Sequence, residues 1–325
     1  MTPRERVQRV LRRELPDSVP RALYGVAINA YNDSTLELFE RRMGKHPRDC
    51  FRHDVRGVGT TSRTVTEDWT RAVRDIASVD DVARLMDDWT PSATDAADLQ
   101  ARIDAEHRAG RAVMCIGTVS DFETPFSLRG REQFFLDLGY EEEWLGAFLD
   151  RLADAGAADA GVAARAGADI FGIGDDLGSQ RGLLLSPVQW RRLFKPRLKR
   201  IIDGVKNVNP DVAFFLHTDG LVAELIPDFI EIGVDILNPI QPEVMDPAQV
   251  KADYGDELIF FGAISVQHTL PFGSAADVAA EVKLRMETIG AGGGYIMTPS
   301  HLVNADIPWE NIVAFFDAAD RYGSY

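Results

Sequence analysis

From about residue 110 onward, short apolar runs alternate with amphipathic helical stretches, and this alternation limits the chain to few architectures. Successive strands that run the same way need long return connections, so the pattern demands a parallel sheet with crossover helices. Eight candidate strands can be placed: Arg21–Ile28, Asp54–Gly59, Ala112–Thr118, Asp169–Ile173, Val212–His217, Asp235–Pro239, Leu258–Ile264 and Tyr295–Thr298. Helical spacing is clearest at Pro187–Val205, Val222–Ile232, Ala275–Ile289 and Pro308–Arg321. Four of the strands (AVMCIGT, VAFFLH, LIFFGAI, YIMTP) are apolar almost throughout, as expected where both faces of a strand are covered. Eight such units predict an α/β fold, a (β/α)8 TIM barrel, as one domain spanning residues 1–325. A doubly wound open sheet is the alternative that periodicity leaves open.

Two segments stand outside the repeat. At the start, Thr2 can cap, Pro3 suits the first helical position and Glu5 completes a capping box, so an N-terminal helix is expected with Val7, Val10 and Leu11 on one face. Val79–Trp89 and Thr94–His107 read as two acidic helices, a helical insertion packed on the barrel. Small residues across Ala153–Ala168 are expected to let a helix approach the sheet closely.

Charge removes two classes of partner. A net charge of −16 repels a phosphate backbone, whose binding depends on clustered Lys and Arg, so neither nucleic acid nor an anionic membrane is expected. No apolar run approaches a membrane span, and the basic N-terminus lacks the apolar core of a secretory signal. Two cysteines, Cys50 and Cys115, form no ligand pattern and fit a reducing, cytoplasmic compartment.

In a parallel barrel, functional side chains gather just after each strand, because the strand-to-helix loops share one face. His217-Thr-Asp219 offers an imidazole and a carboxylate on the same side of an extended strand end, near enough to hold one metal ion. The competing reading is a buried, hydrogen-bonded His217 with Asp219 as a helix cap. His301, after the eighth strand, would converge on the same mouth and complete a two-nitrogen, one-oxygen set with an open position. Asp54 is a proton-transfer candidate with Arg56 beside it; a buried salt bridge is the alternative. Asp175 and Asp176 place two carboxylates together, where like charge makes an acid or base, with Asp176 the catalytic candidate and Asp175 set toward substrate. Asn238 and Gln241 could bind a polar substrate or anchor their loop. The Gly290–Gly294 cluster precedes a strand, which rules it out as a phosphate cradle, and no dinucleotide fingerprint, GxSxG elbow or HExxH is present.

These segments resemble the uroporphyrinogen decarboxylase superfamily, which also contains methylcobamide:coenzyme M methyltransferases. The resemblance runs through FRHDVRGV (51–58), GTVSDFETPFSLRG (117–130), DDLGSQRGLLLSPVQWRRLFKP (175–196), the His217–Gly220 segment, FGAISVQHTLPFG (261–273) and GGGYIMTPSHLVNADIPWEN (292–311). It implies that Asp54 stands for the decarboxylases' essential aspartate and His301 for their loop histidine. The decarboxylases' arginine-rich segment is replaced by AINAYN (27–32), from which no carboxylate clamp can be made. In the methyltransferase branch a His-x-Cys pair and a distant cysteine hold zinc; His217, Asp219 and His301 resemble that set with harder donors.

The resulting expectation is a metal-dependent methyltransferase or demethylase acting on a small molecule. A divalent ion, zinc first, sits on His217, Asp219 and His301, a corrinoid is carried by a partner protein, and Asp54, Asp176 and Gln241 orient the substrate. Homodimerisation is left open. A metal-independent carboxy-lyase using Asp54 and His301 is the second reading, and a barrel that binds a tetrapyrrole without turnover is the third.

Overall fold

A computed structural model of the chain describes residues 1–29, 33–44, 47–59, 67–87, 96–117 and 119–325. Among them, seven parallel strands form one sheet in the order β1 (Val55–Gly57), β2 (Ala112–Ile116), β3 (Ile170–Gly174), β6 (Ala213–His217), β7 (Ile236–Asn238), β8 (Ile259–Ile264) and β9 (Tyr295–Pro299). A two-strand hairpin, β4 (Gly178–Ser179) and β5 (Gly182–Leu183), follows β3. The architecture is TIM-barrel-like.

The eighth stave is a single residue. Arg21 bridges Met297 in parallel, with Met297 N–H donating to Pro20 at 2.8 Å and Ala22 N–H to Met297 at 3.2 Å. On its other side Arg21 C=O accepts from Asp54 N–H at 2.8 Å, so this segment joins β9 to β1. The expected strand Arg21–Ile28 is therefore corrected: the chain leaves the sheet after this contact and forms a short buried helix, Tyr24–Ala27. A brief apolar run buried on all sides has no polar face to mark its period, so a strand and a helical turn read alike. The other strands fall within a residue or two of their expected positions.

Alternation divides the apolar side chains into two clusters. Val55, Ala112, Met114, Ile170, Ala213, Phe215, Ile236, Ile259, Phe261 and Ile296 face one another inside the barrel. The intervening residues, such as Val113, Phe171, Phe214 and Phe260, pack against the surrounding helices. The N-terminal helix Pro3–Leu11, held by the Thr2/Glu5 capping box, contributes Val7 and Val10 to the interior cluster and so closes the amino-terminal end. Tyr24 and Ala27 join the same cluster near the carboxyl ends of the strands.

Between β1 and β2 the described helices are Glu67–Arg74, Val79–Asp87 and Ala96–Arg108; the expected termini at Trp89 and Thr94 lie outside the described residues. The small residues of the long helix Glu143–Arg165 serve a helix contact more than a sheet contact. A β-carbon on Gly204 would lie 2.4 Å from Ala157 O, so backbones meet where this helix crosses Lys195–Lys206. No described helix is long and apolar enough to cross a membrane.

Asp169, just before β3, ties three elements together at the amino-terminal end. Its carboxylate accepts from Val113 N–H at 2.9 Å, meets His107 Nε2 at 2.8 Å and receives Arg4 Nε at 3.1 Å. Burial pushes this acid up, but the hydrogen bonds from His107 and Val113 and the pairing with Arg4 outweigh it and hold the carboxyl below its ordinary value. A depressed folded-state value means the stabilisation is full above the unfolded carboxyl's titration near pH 4 and is lost as pH falls further. Asp169→Asn is expected to cost roughly 2–3 kcal/mol at pH 7, part of the pairing being solvent-screened. In urea titrations repeated from pH 7 to 3, the gap between variant and parent should narrow only below about pH 4.

Candidate metal centre

His217 is the last residue of β6 and faces the barrel interior two residues beyond Phe215. Asn238, the last residue of β7 and its register partner, fixes the imidazole. The Asn238 Nδ2 donates to Phe261 O at 2.8 Å, which turns its Oδ1 toward His217 Nδ1 at 2.6 Å. A carboxamide oxygen only accepts, so Nδ1 is the donor to it and, in the neutral ring, Nε2 is the nitrogen with the lone pair. Nε2 lies 3.7 Å from Asp176 Oδ1.

Asp219 is presented by a backbone contact. The loop after β6 presses on the loop after β3: Gly178 N–H donates to Asp219 O at 3.1 Å and Leu221 N–H to Ser179 O at 2.9 Å. Gly220 adopts φ +89°, and a β-carbon there would sit 2.4 Å from the Gly178 carbonyl carbon. Gln241 Oε1 accepts Gly220 N–H at 2.7 Å, and Asp176 Oδ1 accepts Asp219 N–H at 3.0 Å. One oxygen of the Asp219 side chain, Oδ1, is buried with no hydrogen-bond partner among the described residues.

His301 follows β9, where Ser300 N–H donates to Ile264 O at 2.8 Å. Its ring centroid is 5.5 Å from that of His217, and Tyr24 lies 5.4 Å from His217 and 5.6 Å from His301. Burial, followed by repulsion from His217, lowers the His301 basicity and favours the neutral ring, a ligand form. Burial raises the Asp219 carboxyl, and burial with the charges of Asp219, Asp176 and Glu123 keeps the Tyr24 phenol protonated well above its usual range. One ligand atom from each of His217, Asp219 and His301 lies within 4.8 Å of the other two, although the two loops that carry them are far apart in the chain. Zinc bonds of about 2.1 Å set tetrahedral donors about 3.4 Å apart, so small side-chain rotations would close the set on one ion.

Other candidates are placed elsewhere. Asp54 precedes β1 and so lies at the amino-terminal end, opposite the centre. It receives Arg6 Nη1 at 2.8 Å, Arg52 Nη2 at 3.1 Å and Arg21 N–H at 2.9 Å. Of its two expected roles the structure favours the buried salt bridge over proton transfer: Asp54 is an ion-paired clamp on the closing segment, at the end of β1 opposite the centre. Arg56 alternates with inward Val55 and is buried on the outer side of β1, away from the mouth. Asp175 is buried and accepts Phe122 and Glu123 N–H at 3.2 and 2.8 Å, a structural contact that leaves no approach for substrate. Asn238 and Gln241 hold the ligand-bearing strand end and loop rather than a substrate. Asp176 is at the centre. Sequence reasoning passed over Tyr24 and Glu123; Glu123 follows β2 and the strand-end rule selects it. Burial, then repulsion by Asp176 and Asp175, pushes its carboxyl up to about 7.

A family model described as "Uroporphyrinogen decarboxylase (URO-D)" matches residues 61–322. The chain belongs to the uroporphyrinogen decarboxylase family. Within that family it is similar to methylcobamide:CoM methyltransferase MtaA of Methanosarcina barkeri, 30% identical over 174 residues that cover 54% of this chain and 48% of that protein. It is also similar to uroporphyrinogen decarboxylase of Trichodesmium erythraeum, 28% identical over 186 residues covering 57% of this chain and 49% of the relative. The chain thus spans about half the length of the curated relatives it matches. A solved methyltransferase from Methanosarcina mazei shares the fold along 99% of both chains, with a TM-score of 0.67 at 17% identity.

Gly220→Ala should cost about 2–3 kcal/mol in chemical denaturation, since the new methyl meets backbone and the required φ is unfavourable for alanine. Gly233→Ala shares a left-handed φ but has its nearest neighbour at 3.5 Å, and should lose clearly less.

Proposed function

We propose that this chain is a metal-dependent methyltransferase or demethylase of the uroporphyrinogen decarboxylase family, a single-barrel cytoplasmic enzyme moving a methyl group between a small molecule and a corrinoid carried by a partner protein. The observation that carries this reading is the convergence of His217, Asp219 and His301, with an Asp219 oxygen buried and unsatisfied. An orphaned buried carboxylate oxygen is costly unless a cation completes it. Two imidazoles and one carboxylate form a donor set that zinc accepts in catalytic sites, with a fourth position open. The family's known reactions, as the relatives' names give them, include methyl transfer from methylcobamide and decarboxylation of uroporphyrinogen.

A divalent ion bound there supplies Lewis acidity to a heteroatom of the substrate. The chain's own groups do the rest. Asn238 holds the His217 ring so that Nε2 faces the centre, and Gln241 fixes the loop that presents Asp219. Tyr24, buried between the two imidazoles, walls off the barrel interior and keeps its phenolic proton as a donor. Asp176, more open, stands beside His217 Nε2 where it can orient a substrate hydrogen-bond donor.

The carboxy-lyase reading loses its central residue. Asp54 is engaged by Arg6 and Arg52 at the far end of the barrel, and residues 27–32 contain no arginine to grip substrate carboxylates.

Protein purified without chelator is expected to carry one divalent ion per chain by elemental analysis. His217→Ala, Asp219→Ala and His301→Ala should each abolish stoichiometric metal, and Asn238→Leu should weaken metal affinity by about 10–100-fold. Absence of metal from the parent protein, with methyl transfer retained in His217→Ala, would overturn the proposal.

A further inference from the structure

The centre opens on one side into a cavity of about 360 Å3 whose polar lining is Ser120, Glu123, Thr124 and Ser127, with Gly117 and Gly174 as bare walls. Gly174 ends β3 beside His217 in register. A β-carbon added there would lie 3.6 Å from His217 Cδ2 and 3.8 Å from Glu123 Oε2, so cavity and centre share one space above this glycine. That volume admits a compact substrate only.

The polar lining is not all available to a guest. Ser120 and Thr124 spend their hydroxyls on each other and on each other's backbone N–H groups, at 3.0 to 3.3 Å. Glu123 is different: among the described residues no hydrogen bond or ion pair takes up its carboxylate. Among the described residues lining the cavity none is basic, and Asp176 and Asp219 are close enough to act on the Glu123 charge. Before any metal is bound, an anion entering here would meet Glu123 with no basic side chain among the described lining residues, whereas a cation would be drawn in and would find Glu123 as an acceptor.

We propose that Glu123 is the specificity-determining residue of this site, and that the cavity takes a small amine. The amine binds as the ammonium ion, with its N–H donating to the Glu123 carboxylate and its second heteroatom directed over Gly174 toward His217 and Asp219. The identity of the reacting group rests on the proposed methyl transfer; the preference for positive charge rests on the cavity alone. It sets this chain apart from acid-binding members of its family, since a clamp for carboxylates and a carboxylate for ammonium are opposite solutions.

Three methyl ethers of nearly equal size separate these ideas: 2-methoxyethylamine, 2-methoxyethanol and methoxyacetate, titrated calorimetrically at pH 7.5 into zinc-loaded protein and into chelator-treated protein. In the chelator-treated protein, where no metal charge attracts a carboxylate, the amine is expected to bind tightest and methoxyacetate weakest, and this preparation decides the charge preference. Glu123→Gln should weaken the amine by about tenfold or more while leaving the alcohol nearly unchanged and zinc stoichiometry intact. Methoxyacetate binding as tightly as the amine, an unchanged amine affinity in Glu123→Gln, or binding of none of the three overturns the assignment. If the charge preference survives but no metal is ever retained, the metal-dependent reading fails and the role of Glu123 stands.

Discussion

Closure of the parallel sheet by one residue is the constraint on which the site depends. Arg21 bridges Met297 through the backbone groups of its neighbours Pro20 and Ala22 on one side and accepts Asp54 N–H on the other, and without this bridge β9 and β1 would be the edges of an open sheet. Only a closed cylinder brings the loop after β9 back over the loop after β6. His301 and His217 are neighbours for that reason. So short a stave needs reinforcement, and Asp54 supplies it: one buried carboxylate receives the Arg21 N–H together with the Arg6 and Arg52 guanidiniums. Charge pairing at the amino-terminal end thereby maintains geometry at the other.

At the carboxyl end the described residues gather acids: Asp176, Asp219 and Glu123 share the mouth with two imidazoles and a neutral phenol. This balance favours a bound cation, and it is achieved by backbone placement more than by side-chain reach. Gly178 against Gly220 sets Asp219, and the Asn238 carboxamide sets the His217 tautomer. Each of these positioning groups is itself held by a main-chain hydrogen bond, so the donors are arranged before any ligand arrives.

Much of the scaffold was legible from composition along the chain. The fully apolar runs AFFLH and IFFGAI are what a strand covered on both faces requires, and β6 and β8 occupy those positions. The strand-end rule selects His217, Asp219, Asp176 and His301, and in the structure each lies at or just after the carboxyl end of a strand. Asp54 does not meet that rule: it opens the expected strand Asp54–Gly59 and immediately precedes β1 in the structure, so it belongs to the amino-terminal end on either reading. Tyr24 is not selected because its segment reads as a strand, and nothing in YGVA marks a helical turn. Asn238 and Gln241 read as polar loop residues, but whether an amide holds a substrate or a neighbouring backbone depends on what lies across from it.

By itself the sequence determined the parallel α/β class, the apolar strand interiors, the capped N-terminal helix and the roster of polar residues at strand ends, since all of these follow from local periodicity and local hydrogen-bonding capacity. Tertiary structure decided which of those residues face one another. Ring orientation, the unpartnered Asp219 oxygen and the separation of Asp54 from the centre arise from sheet closure and from contacts between loops far apart in the chain, and no short-range pattern encodes a distance of that kind.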